Sequence, residues 1–317
     1  MEALLLFHMK RIALPILGID IGGTSTKAAL YQEGTLRQHR RIATPTSASG
    51  EDFYAFLCAL IQEELEREML GGIALASPGL IDVQGGRVLQ VNNLAGLENF
   101  PLCARLEARF GLPVRLENDA NAHAYAEHKN GAAQGSESSV TLSLGTGLGG
   151  GIVMQDQLVR GVFSAAGEWC SVPYLEGTFE TYCSSVFFFR EYQGSPEACF
   201  QAARAGESRA LLHWETFGRH LGALAQVIAS VLAPECIVFS GTISRAFPLF
   251  EGALRETFQQ HPYPLLRTRT QIRQAALSES GVIGAASYLR MRKSTLSRLP
   301  HPTFFADFGY LIQNCIF

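Results

Sequence analysis

Two glycine-rich stretches hold the residues of this sequence that are best suited to chemistry. The first reads PILGIDIGGTSTKAAL, in which a buried strand ends near Asp20 and is followed by Gly22, Gly23 and three hydroxylic residues. The glycines permit backbone angles closed to other residues and leave amide hydrogens open to a ligand. A carboxylate beside free amides and hydroxyls suits a magnesium-bound polyphosphate, although an ordinary hairpin with a glycine turn explains the same residues.

The second stretch reads VTLSLGTGLGGGIV and repeats the pattern of strand, glycine turn and strand. Five glycines fall within the seven positions 145–151, which is more than a simple hairpin requires. A dinucleotide-binding site is also glycine-rich, but its glycines lead from a strand into a helix, whereas Ile152 and Val153 continue as a strand. The repetition predicts two similar lobes that face one nucleotide across a cleft.

A third candidate lies where a strand runs into a helix. A strand is predicted at 114–116, and the residues ENDAN at 117–121 lead into a helix predicted at 120–128. Asn118 or Asp119 could serve simply as the cap of that helix. Alternatively, a rigidly held Asp119 accepts the proton of a hydroxyl group as its oxygen attacks phosphorus.

Alternating strands and helices must position these groups. Further strands are predicted at 36–43, 73–76, 237–239 and 271–276. Helices are predicted at 51–70, 101–110, 217–231 and 281–290, several of them followed or preceded by glycine or proline. This order of elements predicts an α/β protein.

Composition sets limits on the protein class. The chain has 317 residues, of which 47% are hydrophobic and 17% charged, enough for two globular domains. A net charge of -3 gives no sign of a broad basic surface for nucleic acid. The seven cysteines form no CxxC pair, which favours reduced thiols and a cytoplasmic location.

The two ends are interpreted separately. The apolar run at the start precedes Lys10 and Arg11, the reverse of a signal peptide, and is shorter than the roughly 20 residues that span a bilayer. We therefore expect no membrane association. Residues 294–317 are treated as an appended tail without an assigned role.

Seven segments together resemble the ROK sugar kinases, a family of the actin-like ATPase superfamily. They are DIGGTSTK at 20–27, SPGLID at 77–82, ENDAN at 117–121, LGTGLGGG at 144–151, AGE at 166–168, FSGT at 239–242 and GVIGA at 281–285. The resemblance implies two ribonuclease-H-like lobes with the active site in the cleft between them. It divides the chain into a small lobe of 13–117 plus about 281–293, and a larger lobe of 118–280.

The resemblance also assigns roles to individual residues. It implies that Asp119 is the general base and that Asp20 arranges Mg²⁺ through water. It implies nucleotide contacts for Asp20, Gly22, Gly23, Thr24, Thr26, Lys27, Gly145, Thr146, Gly147, Gly149, Gly241 and Thr242. It implies sugar contacts for Gly79, Asn92, Asn93, Asn118, Asp119, Glu168, Ser171 and Glu180. Without the resemblance, the Gly79 turn would be interpreted as a plain turn, whereas at Gly241 a plain glycine turn before a helix and a nucleotide contact would stay equally open.

One segment departs from the family pattern. Members typically carry a histidine after the glycine-glutamate pair and then a cysteine cluster that binds zinc, but Ser171 and Thr178 occupy the histidine position and one cysteine position. Zinc needs four nitrogen or sulfur ligands, so no zinc site is predicted. Cys170 and Cys183 are predicted to be buried as small hydrophobic residues. The histidines of the 120–128 helix are expected at the surface or in packing, not as ligands.

The function implied by the resemblance is ATP- and Mg²⁺-dependent phosphorylation of a hexose, glucose first, at the 6-hydroxyl. A kinase for an N-acetylhexosamine such as N-acetylmannosamine remains open. A non-catalytic sugar sensor is favoured by the missing zinc cluster and disfavoured by the retained Asp20 and Asp119. A DNA-binding repressor would need a helix-turn-helix domain that the residues before Ile16 cannot hold, and 117–121 disfavours an acyl-phosphate kinase. The family also implies a homodimer, and the charge balance predicts no nucleic-acid partner.

Overall fold

The computed structural model describes residues 14–46, 48–92 and 94–296, with side chains up to residue 289. The segment 1–12, Asn93 and all but the first three residues of the tail expected from 294 lie outside these ranges. Within them, no helix combines the length and apolar character needed to cross a bilayer.

The strands divide into an N-terminal and a C-terminal set. The first set is β1 (Ile16–Ile21), β2 (Ser25–Gln32), β3 (Thr35–Ala43), β4 (Gly72–Ser77), β5 (Leu80–Asp82), β6 (Arg87–Gln90) and β7 (Val114–Asn118). The second set is β8 (Ser138–Leu144), β9 (Leu148–Met154), β10 (Gln157–Val159), β11 (Pro173–Tyr174), β12 (Gly177–Thr178), β13 (Cys236–Ser240) and β14 (Gln271–Gln274).

Helices separate and cover the strands. They are α1 (Gly50–Leu65), α2 (Leu102–Phe110), α3 (Asp119–Asn130), α4 (Phe179–Cys183), α5 (Ser185–Phe187), α6 (Pro196–Arg204), α7 (Ser208–Leu232), α8 (Phe247–Phe258), α9 (Pro264–Arg269) and α10 (Ser280–Leu296). Short 3₁₀ turns occur at Ala95–Leu97, Val162–Ser164, Trp169–Ser171 and Ile243–Ala246, and one π turn at Phe188–Tyr192.

The two main sheets follow the same plan. Their strand orders are β3-β2-β1-β4-β7 and β10-β9-β8-β13-β14. In each sheet, three antiparallel strands form a meander. A fourth strand pairs in parallel with the first strand of the meander, and a fifth strand pairs in parallel with the fourth. The strands and helices confirm the α/β fold that the order of elements predicted, and the two matching sheets agree with the repetition of the glycine hairpins.

Each sheet has its own hydrophobic core. Phe53 and Leu57 of α1 pack with the buried side chains of β1 and β4. Trp214 and Phe217 of α7 pack with the apolar face of the second sheet. A separate cluster joins the first sheet to α3 and α10 and includes Ile16, Ala122 and Leu289.

Helices α3 and α10 join the two halves. Helix α3 packs on β8 and β9, whereas α10 packs on β1 and β4. The two helices cross in backbone contact, because a Cβ atom placed on Gly284 would lie 1.8 Å from the Ala122 carbonyl oxygen. This crossing brings the first turns of both helices together. The lobe boundaries predicted from the resemblance remain a proposal.

Several helix ends differ from the prediction, and α7 begins at Ser208, nine residues before the predicted start at 217. Helix α1 begins with a capping box between Ser49 and Asp52 and ends at Leu65, five residues before the predicted end. After that, the Gly71 N–H donates to the Pro15 carbonyl at 2.8 Å, which draws the chain into the sheet. Helix α10 continues past residue 290 to Leu296, so the expected tail begins as helix.

Candidate active site

The first glycine hairpin joins β1 to β2 and holds the predicted phosphate-contacting residues. The Gly22 N–H donates to the Ser25 carbonyl at 3.2 Å, and a Cβ atom on Gly22 would lie 2.8 Å from that same oxygen. The turn therefore requires glycine at this point. Gly23 and Thr24 are exposed at the tip, where their amides are open to a ligand.

Thr26 differs from its neighbours in the hairpin because its side chain is fully buried. Its Oγ1 lies 2.9 Å from Oγ1 of Thr44, which in turn donates to the Gly22 carbonyl at 2.7 Å. The Thr44 N–H also donates to the Thr24 carbonyl at 3.1 Å. Thr26 and Thr44 therefore brace the turn from behind. Thr44 was not singled out from the sequence, because only the folded meander brings it there.

Asp20 is the last residue but one of β1 and lies beside the start of α10. A Cβ atom on Gly281 would lie 2.6 Å from Oδ2 of Asp20, so only glycine permits this approach. The Asp20 side chain is 8% exposed and has no hydrogen-bond or ion-pair partner within the described residues. Lys27, its partner across the sheet, forms an ion pair of 3.2 Å with Glu279.

The second glycine hairpin joins β8 to β9. The Gly145 N–H donates to the Gly147 carbonyl at 3.0 Å, while Thr146 is exposed at the tip. Ser185 holds this turn from outside the sheet, since its N–H donates to the Gly145 carbonyl at 2.9 Å and its hydroxyl to the Thr146 carbonyl at 3.1 Å.

Two further glycines fix the surroundings of this hairpin. Gly241 has φ +86°, and a Cβ atom there would lie 2.3 Å from the Leu144 carbonyl oxygen. The next residue, Thr242, is exposed, and its Oγ1 would lie 3.9 Å from a Cβ atom on Gly145. A Cβ atom on Gly149 would lie 3.3 Å from Cβ of Ala120. The second hairpin thus lies beside the first turn of α3.

The first turn of α3 carries Asn118 and Asp119. Asn118 is the N-cap, because its Oδ1 accepts the Asn121 N–H at 3.0 Å, and its Nδ2 donates to the Gly79 carbonyl at 3.1 Å. The predicted capping is therefore confirmed for Asn118. Gly79 itself has φ +96° and lies against the backbone of Gln90. Asp119 is left free of the cap.

Asp119 is half-buried and has an unusual electrostatic environment. Its Oδ1 accepts the Ala120 N–H at 2.8 Å. Burial raises the pKa of the Asp119 carboxyl, and the carboxylates of Asp20 and Glu168 raise it further, against an opposing effect of His123. Asp20 and Glu168 are thus near enough to Asp119 to affect it electrostatically, in agreement with the shared site that the resemblance implied. Such a raised pKa at a strand-to-helix junction is typical of a proton acceptor.

A buried ion pair supports this junction from the preceding residue. Glu117 is 2% exposed and accepts from Arg160 Nε at 2.7 Å. Its other oxygen accepts the Asn118 N–H at 3.0 Å and the Ser164 hydroxyl at 3.2 Å. The sequence placed Glu117 in a motif but gave no signal for Arg160, which lies 43 residues away. A buried carboxylate with several donors holds the main chain at Asn118 rigidly.

His123 lies one turn after Asp119 on α3 and was expected only at the surface or in packing. The structure places it half-buried, with Nδ1 2.6 Å from the hydroxyl of Ser280 at the start of α10. His128, by contrast, is buried between the Ser139 hydroxyl at 2.8 Å and Asp156 at 2.8 Å, as a packing residue. The spacing of four residues from Asp119 was the available signal for His123.

The remaining predicted sugar contacts are spread around the junction. Glu168 and Ser171 are exposed, and so is Asn92; Asn93 lies outside the described residues. Gly167 has φ +97°, and a Cβ atom there would lie 2.4 Å from the Gly150 carbonyl, so the Glu168 turn packs on the second hairpin.

Glu180 belongs to α4, and its side chain contacts the second glycine hairpin. Its Oε2 accepts the Leu148 N–H at 3.0 Å, and a Cβ atom on Gly147 would lie 2.6 Å from that oxygen. Oε1 has no hydrogen-bond partner within the described residues. One carboxylate therefore holds the glycine loop and still offers an acceptor oxygen.

The prediction of burial holds for only one of the two cysteines in the divergent segment. Cys183 is fully buried, but Cys170 is half-buried and its thiol donates to Glu168 at 3.1 Å. The prediction for Cys170 was wrong because the 3₁₀ turn at Trp169–Ser171 turns its side chain toward the glutamate. Burial and this hydrogen bond raise the pKa of the Cys170 thiol to about 11.

Comparison with known proteins agrees with this arrangement. The profile of the ROK family matches residues 16–292. A glucokinase of Thermotoga maritima is 30% identical over an alignment 316 residues long. The alignment covers 88% of this chain and 98% of that protein. An N-acetyl-D-glucosamine kinase of Vibrio cholerae is 29% identical over 308 residues, which span 87% of this chain and 99% of that protein.

Solved structures give the same result. A ROK family glucokinase from Streptomyces griseus, in complex with glucose and AMPPNP, is 27% identical. It covers 86% of this chain and 98% of its own, with a TM-score of 0.73. The family match includes both glycine hairpins, the junction at Asp119 and most of α10. This chain therefore belongs to the ROK family.

Proposed function

We propose that this protein is an ATP-dependent sugar kinase that transfers the γ-phosphoryl group to a hexose, with Asp119 as the general base. One observation carries the proposal. Asp119 is half-buried at the start of α3, in a turn whose Ala120 approaches Gly149 of the second glycine hairpin, and burial and then the carboxylate of Asp20, on the strand before the first hairpin, raise its pKa. The kinase relatives, and the structure of one of them with a nucleotide analogue and glucose, support the same reaction.

The nucleotide would lie between the two hairpins. The exposed amides at Gly23, Thr24 and Thr146 are free to contact phosphate oxygens, and Thr242 lies at the edge of the second loop. Thr26 would contribute indirectly, because its hydroxyl is buried against Thr44. Gly22, Gly145, Gly147, Gly149 and Gly241 would shape the loops, and Lys27 would act beside its partner Glu279.

Asp20 fits a role at a metal ion. Its carboxylate is nearly buried and has no protein partner within the described residues, as expected where water or a cation completes the site. We infer that Asp20 would hold Mg²⁺ through water. The ion would supply charge neutralisation for the phosphates, which the hairpin amides share.

The acceptor sugar would lie against the first turn of α3. The Gly79 carbonyl fixes the amide of Asn118, so that the Asn118 side chain has a defined orientation for sugar hydroxyls. Glu168 and the free oxygen of Glu180 offer further acceptors on the other side. Ser171, Asn92 and Asn93 are proposed as additional sugar contacts.

The reaction follows from the position of Asp119. As the sugar oxygen attacks the γ-phosphorus, the new P–O bond forms, the bond to the ADP oxygen breaks, and the hydroxyl proton passes to Asp119. The Ala120 N–H engages Oδ1, which leaves Oδ2 to accept the proton. Because burial and, after it, the neighbouring carboxylates raise the pKa of Asp119, its carboxylate is a stronger base than an exposed aspartate.

The acceptor is proposed as glucose, phosphorylated at the 6-hydroxyl. The Thermotoga maritima glucokinase supports glucose, whereas the Vibrio cholerae relative supports an N-acetylhexosamine as the alternative, with N-acetylmannosamine among the candidates. A homodimer in the cytoplasm without nucleic-acid partners, and the lobe boundaries at about 117 and 281, complete the proposal.

The experiment is ADP release with Mg²⁺ and ATP across a panel of hexoses and N-acetylhexosamines, followed by NMR of the phosphorylated product. We expect turnover with one sugar class and a phosphate on carbon 6. Turnover on N-acetylhexosamines alone would replace glucose as the acceptor. Sugar binding by calorimetry without turnover on any sugar would contradict the kinase and favour the non-catalytic sensor.

A further inference from the structure

Helix α4 and the turn that follows it determine the position of the second glycine hairpin. Glu180 of α4 accepts from Leu148, and Ser185 donates to two carbonyls of the hairpin. The Ser184 hydroxyl donates to the Glu180 carbonyl at 2.7 Å, which joins the two supports. A movement of α4 would therefore move the hairpin and the Glu180 carboxylate together.

Tyr174 in the β11–β12 hairpin is the centre of the contacts that hold α4. Its ring stacks on Phe179 with centroids 4.3 Å apart and meets Tyr182 edge-on at 5.4 Å. Its hydroxyl lies 3.1 Å from Nδ1 of His220 on α7. The His220 ring also lies 4.9 Å from the Tyr182 ring. Tyr174 thus connects the β11–β12 hairpin to both α4 and α7.

The side chains of this region do not fit the zinc site that members of the family typically carry. Cys183 is fully buried in the apolar core of the second sheet, and Ser171 and Thr178 hold the positions of the family's histidine and of one of its cysteines. Cys170 already donates to Glu168. Within the described residues, no group of three or more histidine, cysteine, aspartate or glutamate side chains could hold a metal ion.

We propose that Tyr174 and His220 are positioning residues that hold Glu180 against the second glycine hairpin without a metal ion. The inference rests on the proposed kinase function. Burial and the nearby Arg190 lower the pKa of His220, which favours the neutral ring, and in the tautomer protonated at Nε2 its Nδ1 accepts a hydrogen bond from the Tyr174 hydroxyl at 3.1 Å. The packing of the Tyr174 ring on Phe179 and Tyr182 supplies the other contacts between the β11–β12 hairpin and α4.

The test compares Tyr174→Leu and Tyr174→Phe with Tyr54→Leu, a matched control in the first lobe. Tyr54 is also half-buried beside an aromatic ring, at 6.2 Å from Phe100. Binding of Mg²⁺-ATP is measured by calorimetry, and kcat and the KM for ATP by ADP release. We expect Tyr174→Leu to weaken ATP binding and raise the KM about tenfold.

Tyr174→Phe keeps the aromatic stack and removes only the hydroxyl. We therefore expect the fold to be retained and the KM for ATP to rise about fivefold. Tyr54→Leu should lower the Tm without changing ATP affinity. Unchanged affinity in both Tyr174 variants would overturn the inference, as would stoichiometric zinc in the purified protein or its inactivation by a zinc-selective chelator. The kinase proposal would fail by a different result: the unaltered protein would bind ATP but show no turnover.

Discussion

The two glycine hairpins occupy equivalent positions in two related sheets, yet different parts of the chain support them. The first is braced by Thr26 and Thr44, hydroxyl groups that lie on or directly after strands of the same meander. The second is held by Glu180 and Ser185, which belong to the short helices between β12 and α6. A local brace ties the first loop to the stability of its sheet, whereas the second loop can move with a separate segment.

The largest expected change in stability comes from replacing one glycine in each hairpin turn by alanine, which adds a methyl group. In Gly22→Ala the new Cβ meets the Ser25 backbone oxygen at 2.8 Å, which cannot move cheaply, so we expect a loss of about 2 to 3 kcal/mol in the free energy of unfolding. In Gly147→Ala the Cβ meets the Glu180 side chain, which can move. Gly147→Ala should therefore cost little stability and raise the KM for ATP.

Urea unfolding and steady-state kinetics of both variants measure this difference. Gly252→Ala serves as the control, since a Cβ there meets nothing within 4 Å and α8 should gain about 0.5 to 1 kcal/mol. Equal losses of stability in the two turn variants would remove the distinction between the hairpins.

A smaller effect is expected from removing one bracing hydroxyl from each loop. Thr44→Val leaves the Gly22 carbonyl and the buried Thr26 hydroxyl without their partner, so we expect a cost of about 1 to 2 kcal/mol. Ser185→Ala removes a more exposed hydroxyl from the second loop and should cost about 0.5 kcal/mol. Thermal unfolding at one pH compares the two.

The double variant Thr26→Val, Thr44→Val sharpens this result. Because both members of the buried pair are then apolar, the Thr26→Val change should cost less in the Thr44→Val background than alone. Strictly additive losses would mean that the two hydroxyl groups act independently of one another.

The smallest stability effect is expected at Asp119, and its sign depends on pH. The folded protein raises the pKa of Asp119 by burial first and by Asp20 and Glu168 second, so the ionised carboxylate disfavours the folded state. At pH 7, Asp119→Asn should therefore raise the Tm of the ligand-free protein. The gain should shrink as the pH falls through the raised pKa toward the ordinary value near 4, because the native carboxyl then becomes neutral. Destabilisation by Asp119→Asn at pH 7 would contradict this electrostatic account.

The sequence predicted those features that depend on local patterns. Alternation of apolar strands and glycine turns placed both hairpins, and the strand before Asn118 placed the start of α3. The braces were not predictable, because they join residues far apart in the chain. Thr26 and Thr44 are 18 residues apart, and Tyr174 and His220 are 46 apart.

The misjudged cysteine has the same explanation. Composition indicated burial for both Cys170 and Cys183, and only the 3₁₀ turn decides that Cys170 faces Glu168. Likewise, α1 ends at Leu65 and the Gly71 N–H then donates to the Pro15 carbonyl, a long-range contact that the helical pattern of the sequence does not contain.

The measurement that tests the central claim most directly is phosphoryl transfer by Asp119→Asn, beside calorimetric binding of the sugar and of ATP. The account predicts a turnover lowered by about 10²- to 10⁴-fold with both ligands still bound, because the variant keeps the shape of the side chain and loses the base. Turnover within about tenfold of the unaltered protein would contradict the assignment of Asp119 as the general base.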